Sequence, residues 1–61
     1  MQHTLREWRR MKEITQEQLA EVCHVHVNTY RAWEENPADI KLSAAVKIVQ
    51  YMGITLDDLL F

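Results

Sequence analysis

The sequence predicts an all-α domain of five short helices around one core. Three observations carry this. Thr is followed three residues later by Glu, Gln or Asp at Thr4–Glu7, Thr15–Gln18 and Thr55–Asp58, the pattern of a capping box. Apolar residues recur at spacings of three and four, and strand-like alternation is absent. The single Pro and the single Gly both fall where a helix should stop. The 61 residues read as one domain, 1–61, without repeat, linker or low-complexity segment. A chain so short buries only about 60% of its unfolded surface, so every element must contribute.

The first helix is expected over 4–13, turning Leu5 and Trp8 inward, with Ile14 just after it. The second runs over 15–23 and contributes Leu19, Ala20 and Cys23. The third, over 26–35, buries Tyr30 and Trp33. It stops at Asn36-Pro37, because Pro disfavours the helical region for its predecessor and Asn tolerates a left-handed cap. The fourth, over 42–52, turns Leu42, Ala45, Val46, Val49 and Met52 inward and ends at Gly53. The fifth, over 55–60, adds Leu56, Leu59 and Leu60. Each set makes one apolar stripe per helix.

Composition narrows the function. Apolar residues make up 48% and charged residues 26%, an ordinary globular balance. One cysteine cannot form an internal disulfide, so a reducing cytoplasm is the expected compartment. No apolar run approaches the roughly 20 residues of a membrane helix, and no signal-peptide pattern opens the chain. Seven Lys and Arg face nine Asp and Glu, a net charge of −2 that does not by itself point to nucleic acid.

The stretch CHVHVN, residues 23–28, decides between chemistries. As a metal site it is poor. Cys23, His24 and His26 give at most three ligands, and zinc usually takes four in wider pairs. As a nucleophilic pair it is poorer, because adjacent residues on a helix point apart and no carboxylate is placed to orient the ring. As a bend it is coherent. Two short helices joined by so few residues form a helix-turn-helix, here about 15–35. Val25 plugs the gap between them. His24 stands at the reversal, where Gly is usual and His is one of the tolerated alternatives. Cys23 reads as a small core residue.

A family resemblance rests on these residues. TQEQLAEVCHVHVNTYRAWEEN, 15–36, resembles the helix-turn-helix of the Cro and phage-repressor (XRE) family. KLSAAVKIVQYMGITLDDLL and LREWRRMKEITQ extend the likeness over nearly the whole chain. The resemblance implies a five-helix, lambda-repressor-like fold that binds operator DNA, mostly as a dimer, to regulate transcription. It implies a phage or bacterial Cro-like repressor, without catalysis, cofactor, metal or small-molecule substrate. Three departures stand out. His24 replaces the turn Gly, and His26 replaces the Ser that caps the recognition helix. Glu35-Asn36-Pro37-Ala38-Asp39 replaces an N-G and a basic loop, removing positive charge near the expected phosphate contacts.

Site residues follow. Arg9 and Glu34 both face inward, and an ion pair between first and third helices is expected; family members carry one there. Val27, Asn28, Arg31, Ala32 and Glu35 make the outer face of the third helix. Asn28 can pair with adenine, Arg31 with guanine, and Val27 can touch a thymine methyl. The matching family positions read bases, Ala32 among them. Thr29 and Gln16 are placed for phosphates, Gln16 where free helix amides already attract an anion. Trp33 either offers its indole N–H to a phosphate or is simply core. Arg6, Arg10, Lys12 and Arg31 lie in the half that holds the motif, and Asp57 and Asp58 at the far end. So few cations favour a homodimer, with Tyr51, Ile54 and Phe61 as interface candidates. The alternative is a protein-interaction module, an antitoxin or anti-repressor built on the same fold.

Overall fold

The computed structural model describes residues 2–61. Their order is β1 (His3–Thr4), α1 (Leu5–Met11), α2 (Gln16–Val22), α3 (Val27–Glu35), a 3-10 turn (Pro37–Asp39), α4 (Leu42–Met52), a second 3-10 turn (Leu56–Asp58) and β2 (Leu59–Leu60). Among the described residues no helix is long and apolar enough to cross a membrane.

Two threonines cap as expected. The Thr4 hydroxyl accepts from the Glu7 amide at 3.2 Å, and the Glu7 carboxylate accepts from the Thr4 amide at 2.8 Å. Thr15 and Gln18 repeat the exchange at 3.1 and 2.8 Å. Each helix therefore begins one residue after its Thr.

Three helix ends are built alike. Glu13, His24 and Gly53 have φ of 56°, 57° and 74°, the left-handed region. The amide of the next residue reaches back five positions: Ile14 to the Arg9 carbonyl, Val25 to Ala20 and Ile54 to Val49, at 3.1, 3.0 and 3.0 Å. These are Schellman ends. The residue that follows each bend is β-branched and packs half-buried against the core. The bend at His24 was expected; the one at Glu13 was not. Asn36 corrects the reading of the end of α3. Its φ is −129°, so no left-handed cap forms, and Pro37 opening a 3-10 turn is what stops the helix.

The fifth helix is the main correction. Residues 55–60 form one 3-10 turn and then extended chain. β1 and β2 pair in parallel, His3 with Leu59 and Thr4 with Leu60. Asp58 accepts from the Thr55 amide at 2.9 Å, so the start is capped as expected. The helix stops after one turn, and side-chain donors from the N-terminal segment meet its last carbonyls. Trp8 Nε1 donates to the Asp58 carbonyl at 2.8 Å, and Gln2 Nε2 to that of Asp57 at 3.1 Å. In a strand, neighbours face opposite ways. Leu59 is therefore buried and Leu60 exposed, where both were expected inside.

Leu5, Leu19, Ala20, Cys23, Tyr30, Trp33, Ala44, Ile48, Val49, Met52 and Leu59 form the core. On α4 the buried stripe is Ala44, Ala45, Ile48, Val49 and Met52. Leu42, expected inside, is 69% exposed, and Val46 is half-buried. Helix side chains lean toward the N-terminus, so the first residue of α4 leans past the end of the core.

Candidate nucleic-acid interface

The turn between α2 and α3 assigns each residue of CHVH a separate task. Cys23 is buried, its Sγ 3.8 Å from the Ala44 carbonyl, and burial pushes its thiol pKa up, away from nucleophilic character. His24 makes the left-handed reversal, and Val25 packs beneath it. His26 caps α3: its Nδ1 accepts from the Asn28 amide at 3.0 Å, which leaves the ring proton on Nε2. Among the described residues no group of three or more His, Cys, Asp or Glu is arranged to hold a metal ion.

Glu34 is the one buried charged residue among those described. Arg9 Nε and the Tyr30 hydroxyl donate to its Oε2, the latter at 2.7 Å. Gln16 Nε2 and Arg6 Nε reach its Oε1 at 3.0 and 3.4 Å. Burial works to raise the Glu34 pKa. The bonds from Arg9, Tyr30 and Gln16 together outweigh it and hold the carboxyl below its usual range. In return, Glu34 raises the Arg9 pKa. Arg9 Nη1 also donates to the Ile14 carbonyl at 3.0 Å, which ties the α1–α2 turn to the same cluster.

From Gln16 the network runs outward. Arg31 Nε donates to Gln16 Oε1 at 3.0 Å, and Arg31 Nη1 to Asn28 Oδ1 at 2.9 Å. Glu17 stands 3.8 Å from Arg31 Nη2. Hydrogen bonds thus connect buried Tyr30 and Arg9 to the outer face of α3.

The other singled-out residues take definite places. Asn28, Thr29, Arg31, Ala32 and Glu35 are exposed, and Gln16 is half-buried. Val27, expected on the outer face, is half-buried and packs against the core. Trp33 is 6% exposed and meets Tyr30 edge-on, with ring centres 6.3 Å apart. Tyr51 and Phe61 are exposed, whereas Ile54 is half-buried against the core.

Sequence reasoning passed over two lysines. Lys41, Ser43 and Lys47 of the α4 region line a cleft with Thr29 and Trp33 on one flank of α3. Where α1 meets α2, Arg9, Arg10, Glu13, Thr15, Gln16 and Glu17 line an open cleft of mixed charge. The first flank was legible in principle. Ser43 and Lys47 are four apart, so they share a helix face once the apolar stripe of α4 is set at 44, 45 and 48.

Two short helices, a tight turn and an exposed second helix define a helix-turn-helix. The family model described as Helix-turn-helix (HTH_3) matches residues 5–59. The chain belongs to this family, the XRE-type helix-turn-helix of Cro and phage repressors, whose members are DNA-binding regulators. Neither the curated proteins nor the solved structures give a match.

Proposed function

We propose that the protein binds operator DNA as a dimer, laying α3 in the major groove, and regulates transcription from there. The observation that carries this is the surface of α3. Asn28, Arg31 and Ala32 are exposed along one face, and Lys41 and Lys47 line the cleft on one flank. A helix in the major groove has a phosphate strand on each side, and that flank suits one of them. Asn28, Arg31, Ala32 and the exposed part of Val27 face the bases. Gln16 and Arg10 meet one backbone; Thr29, Lys41, Lys47 and the rim of Trp33 meet the other. Arg9 and Glu34 hold α1 against α3 beneath them.

The inventory of cations is short, so one copy binds weakly and two copies are needed. Tyr51 and Phe61 are exposed apolar surface that a second copy can cover, and Ile54 adds what its half-buried side chain leaves exposed. The test is selection of bound sequences from random duplex DNA at low salt. A consensus with two half-sites about 34 Å apart supports the dimer. A single half-site, bound by a protein that sediments as a monomer, removes the dimer and keeps the DNA reading.

One observation favours a second reading. Glu17, Glu21 and Glu35 are exposed on α2 and α3 and leave Arg31 as the only cation of those helices. An antitoxin or anti-repressor would turn such a face toward a basic partner protein. Absence of any enriched DNA sequence would favour that reading.

A further inference from the structure

Arg31 enters the proposed interface already held. Its Nε is bonded to Gln16 Oε1 and its Nη1 to Asn28 Oδ1, at 3.0 and 2.9 Å. A guanidinium has donors only. Asn28 therefore turns its oxygen, not its NH2, toward Arg31. Gln16 is fixed the same way: its NH2 donates to Glu34 at 3.0 Å, so its oxygen faces Arg31. The buried carboxylate thus sets the polarity of Gln16, and the guanidinium sets that of Asn28.

The consequence lies in what remains free. With Nε on Gln16 and one Nη1 proton on Asn28, three of the five guanidinium protons stay free: the second on Nη1 and both on Nη2. Asn28 keeps two free N–H groups, while its oxygen is committed to Arg31. Adenine asks an amide for one donor and one acceptor, and guanine asks for two donors, to O6 and N7. The exposed end of this network offers donors. Glu17 lies near Nη2, but its side chain is 68% exposed and can swing aside.

We infer that Arg31 and Asn28 read DNA as one coupled unit that addresses guanine, with Gln16 as the residue that positions it. The inference rests on α3 entering the major groove. It replaces the simpler expectation of independent readers, Asn28 on adenine and Arg31 on guanine.

The test compares wild type with Arg31→Ala, Asn28→Ala and Gln16→Met by selection from random duplex DNA at low salt. Titrations follow on the wild-type selected duplex and on copies with single guanines replaced by 7-deazaguanine, which lacks the N7 acceptor. The expected result is one guanine position that Arg31→Ala abolishes. Asn28→Ala and Gln16→Met each weaken the preference at that same position, by about tenfold, and leave other positions unchanged. The 7-deaza copy of that position loses a similar factor with wild type. Loss of the phosphate contact proposed for Gln16 lowers affinity for every duplex alike; if Gln16→Met does only this and leaves the preference for that guanine intact, its positioning assignment is overturned. If Asn28→Ala erases a separate adenine position and spares the guanine, the coupled unit is wrong and the proposed function stands. If wild type enriches no sequence, the proposed function falls and takes this inference with it. Should Gln16→Met fail to fold, Asn28→Ala, on an exposed residue, still decides the coupling.

Discussion

The Tyr30 hydroxyl donates to Glu34 Oε2 at 2.7 Å, one helical turn along α3. Tyr30 has no exposed surface, so without this bond its hydroxyl would be a buried orphan. Burial first, and then the bond to Glu34, push the Tyr30 pKa far above its usual value, so the proton stays in place. The carboxylate gains as much. It takes donors from Tyr30, Arg9, Gln16 and Arg6, and so tolerates a position that would otherwise expel a charge. This pair is the inner end of the network that reaches Arg31.

Removing either member should be costly, to different degrees. Tyr30→Phe deletes one hydrogen bond to a charged group and should destabilise by about 1.5–3 kcal/mol. Glu34→Gln leaves Arg9, whose side chain is only 14% exposed, without its carboxylate. A loss of about 3–5 kcal/mol is expected. A small domain has little more than about 5 kcal/mol in total, so Glu34→Gln should be substantially unfolded at room temperature. Urea denaturation of the three proteins measures both effects. Losses below about 0.5 kcal/mol for both variants would mean that these groups are effectively solvated.

Acid should weaken the wild type in a defined window. The Glu34 pKa is lower in the folded state than its usual 4.5. A depressed carboxyl contributes stability that is complete above the unfolded value and is lost as pH falls through the folded one. Stability should therefore hold from neutral pH down to about 4.5 and decline below it. Glu7 and Asp58 are also held low, chiefly by the amides of Thr4 and Thr55, and act in the same direction. Tyr30→Phe removes one of the donors that hold Glu34 low, so its decline should be less steep than that of wild type. Urea midpoints across the carboxylate range would show it, and identical slopes would remove Glu34 as a cause.

The parts legible in the sequence were those encoded locally. Thr4 and Thr15 announce their helices because each cap bond spans only three residues. His24 could be placed in the left-handed bend because helical periodicity stops on one side and restarts on the other. Arg9 and Glu34 could be paired because each was a lone charge at inward spacing. What failed was encoded at long range. Nothing near Leu59 announces a strand; the strand exists because β1 and Trp8 reach it from fifty or more residues away. The bend at Glu13 was missed because Glu is rare at positive φ, and the flanking elements impose it. On the interface, Asn28 and Arg31 were placed on the outer face by periodicity. Their mutual bond, and the turning of Gln16 between Glu34 and Arg31, depend on side-chain polarity that spacing does not carry.

That long-range tie supports a prediction at the other end of the fold. Trp8 Nε1 holds the Asp58 carbonyl just before β2. Trp8→Phe removes the donor and, with the pyrrole part of the indole, some packing against the core and His3. A loss of about 1–3 kcal/mol is expected. More telling would be local: the amides of β2 should exchange with solvent faster, while those of α2 and α3 keep their protection. If exchange at Leu59 and Leu60 is unchanged, the indole bond does not hold the strand.

The bend at His24 offers a comparison inside one molecule. Glu13, His24 and Gly53 hold equivalent places in three Schellman ends, yet only one is Gly. A left-handed non-Gly residue costs roughly 1–2 kcal/mol, whereas Gly loses about 0.5–1 kcal/mol of chain entropy on folding. His24→Gly should therefore be neutral or stabilising by up to about 1 kcal/mol, and Glu13→Gly should behave alike. His24→Val should be clearly destabilising, because a β-branched side chain fits that region worst. At Gly53 a Cβ would meet nothing within 4 Å, so Gly53→Ala reports the backbone cost alone. Its loss gives the scale for the other two. Zinc and chelator provide the control for the neighbouring Cys23 and His26. A metal held only by the folded state would raise the melting temperature by mass action, so neither addition should move it. A chelator that lowers the melting temperature of wild type, but not of His24→Gly, would make His24 a metal ligand and end its reading as a bend.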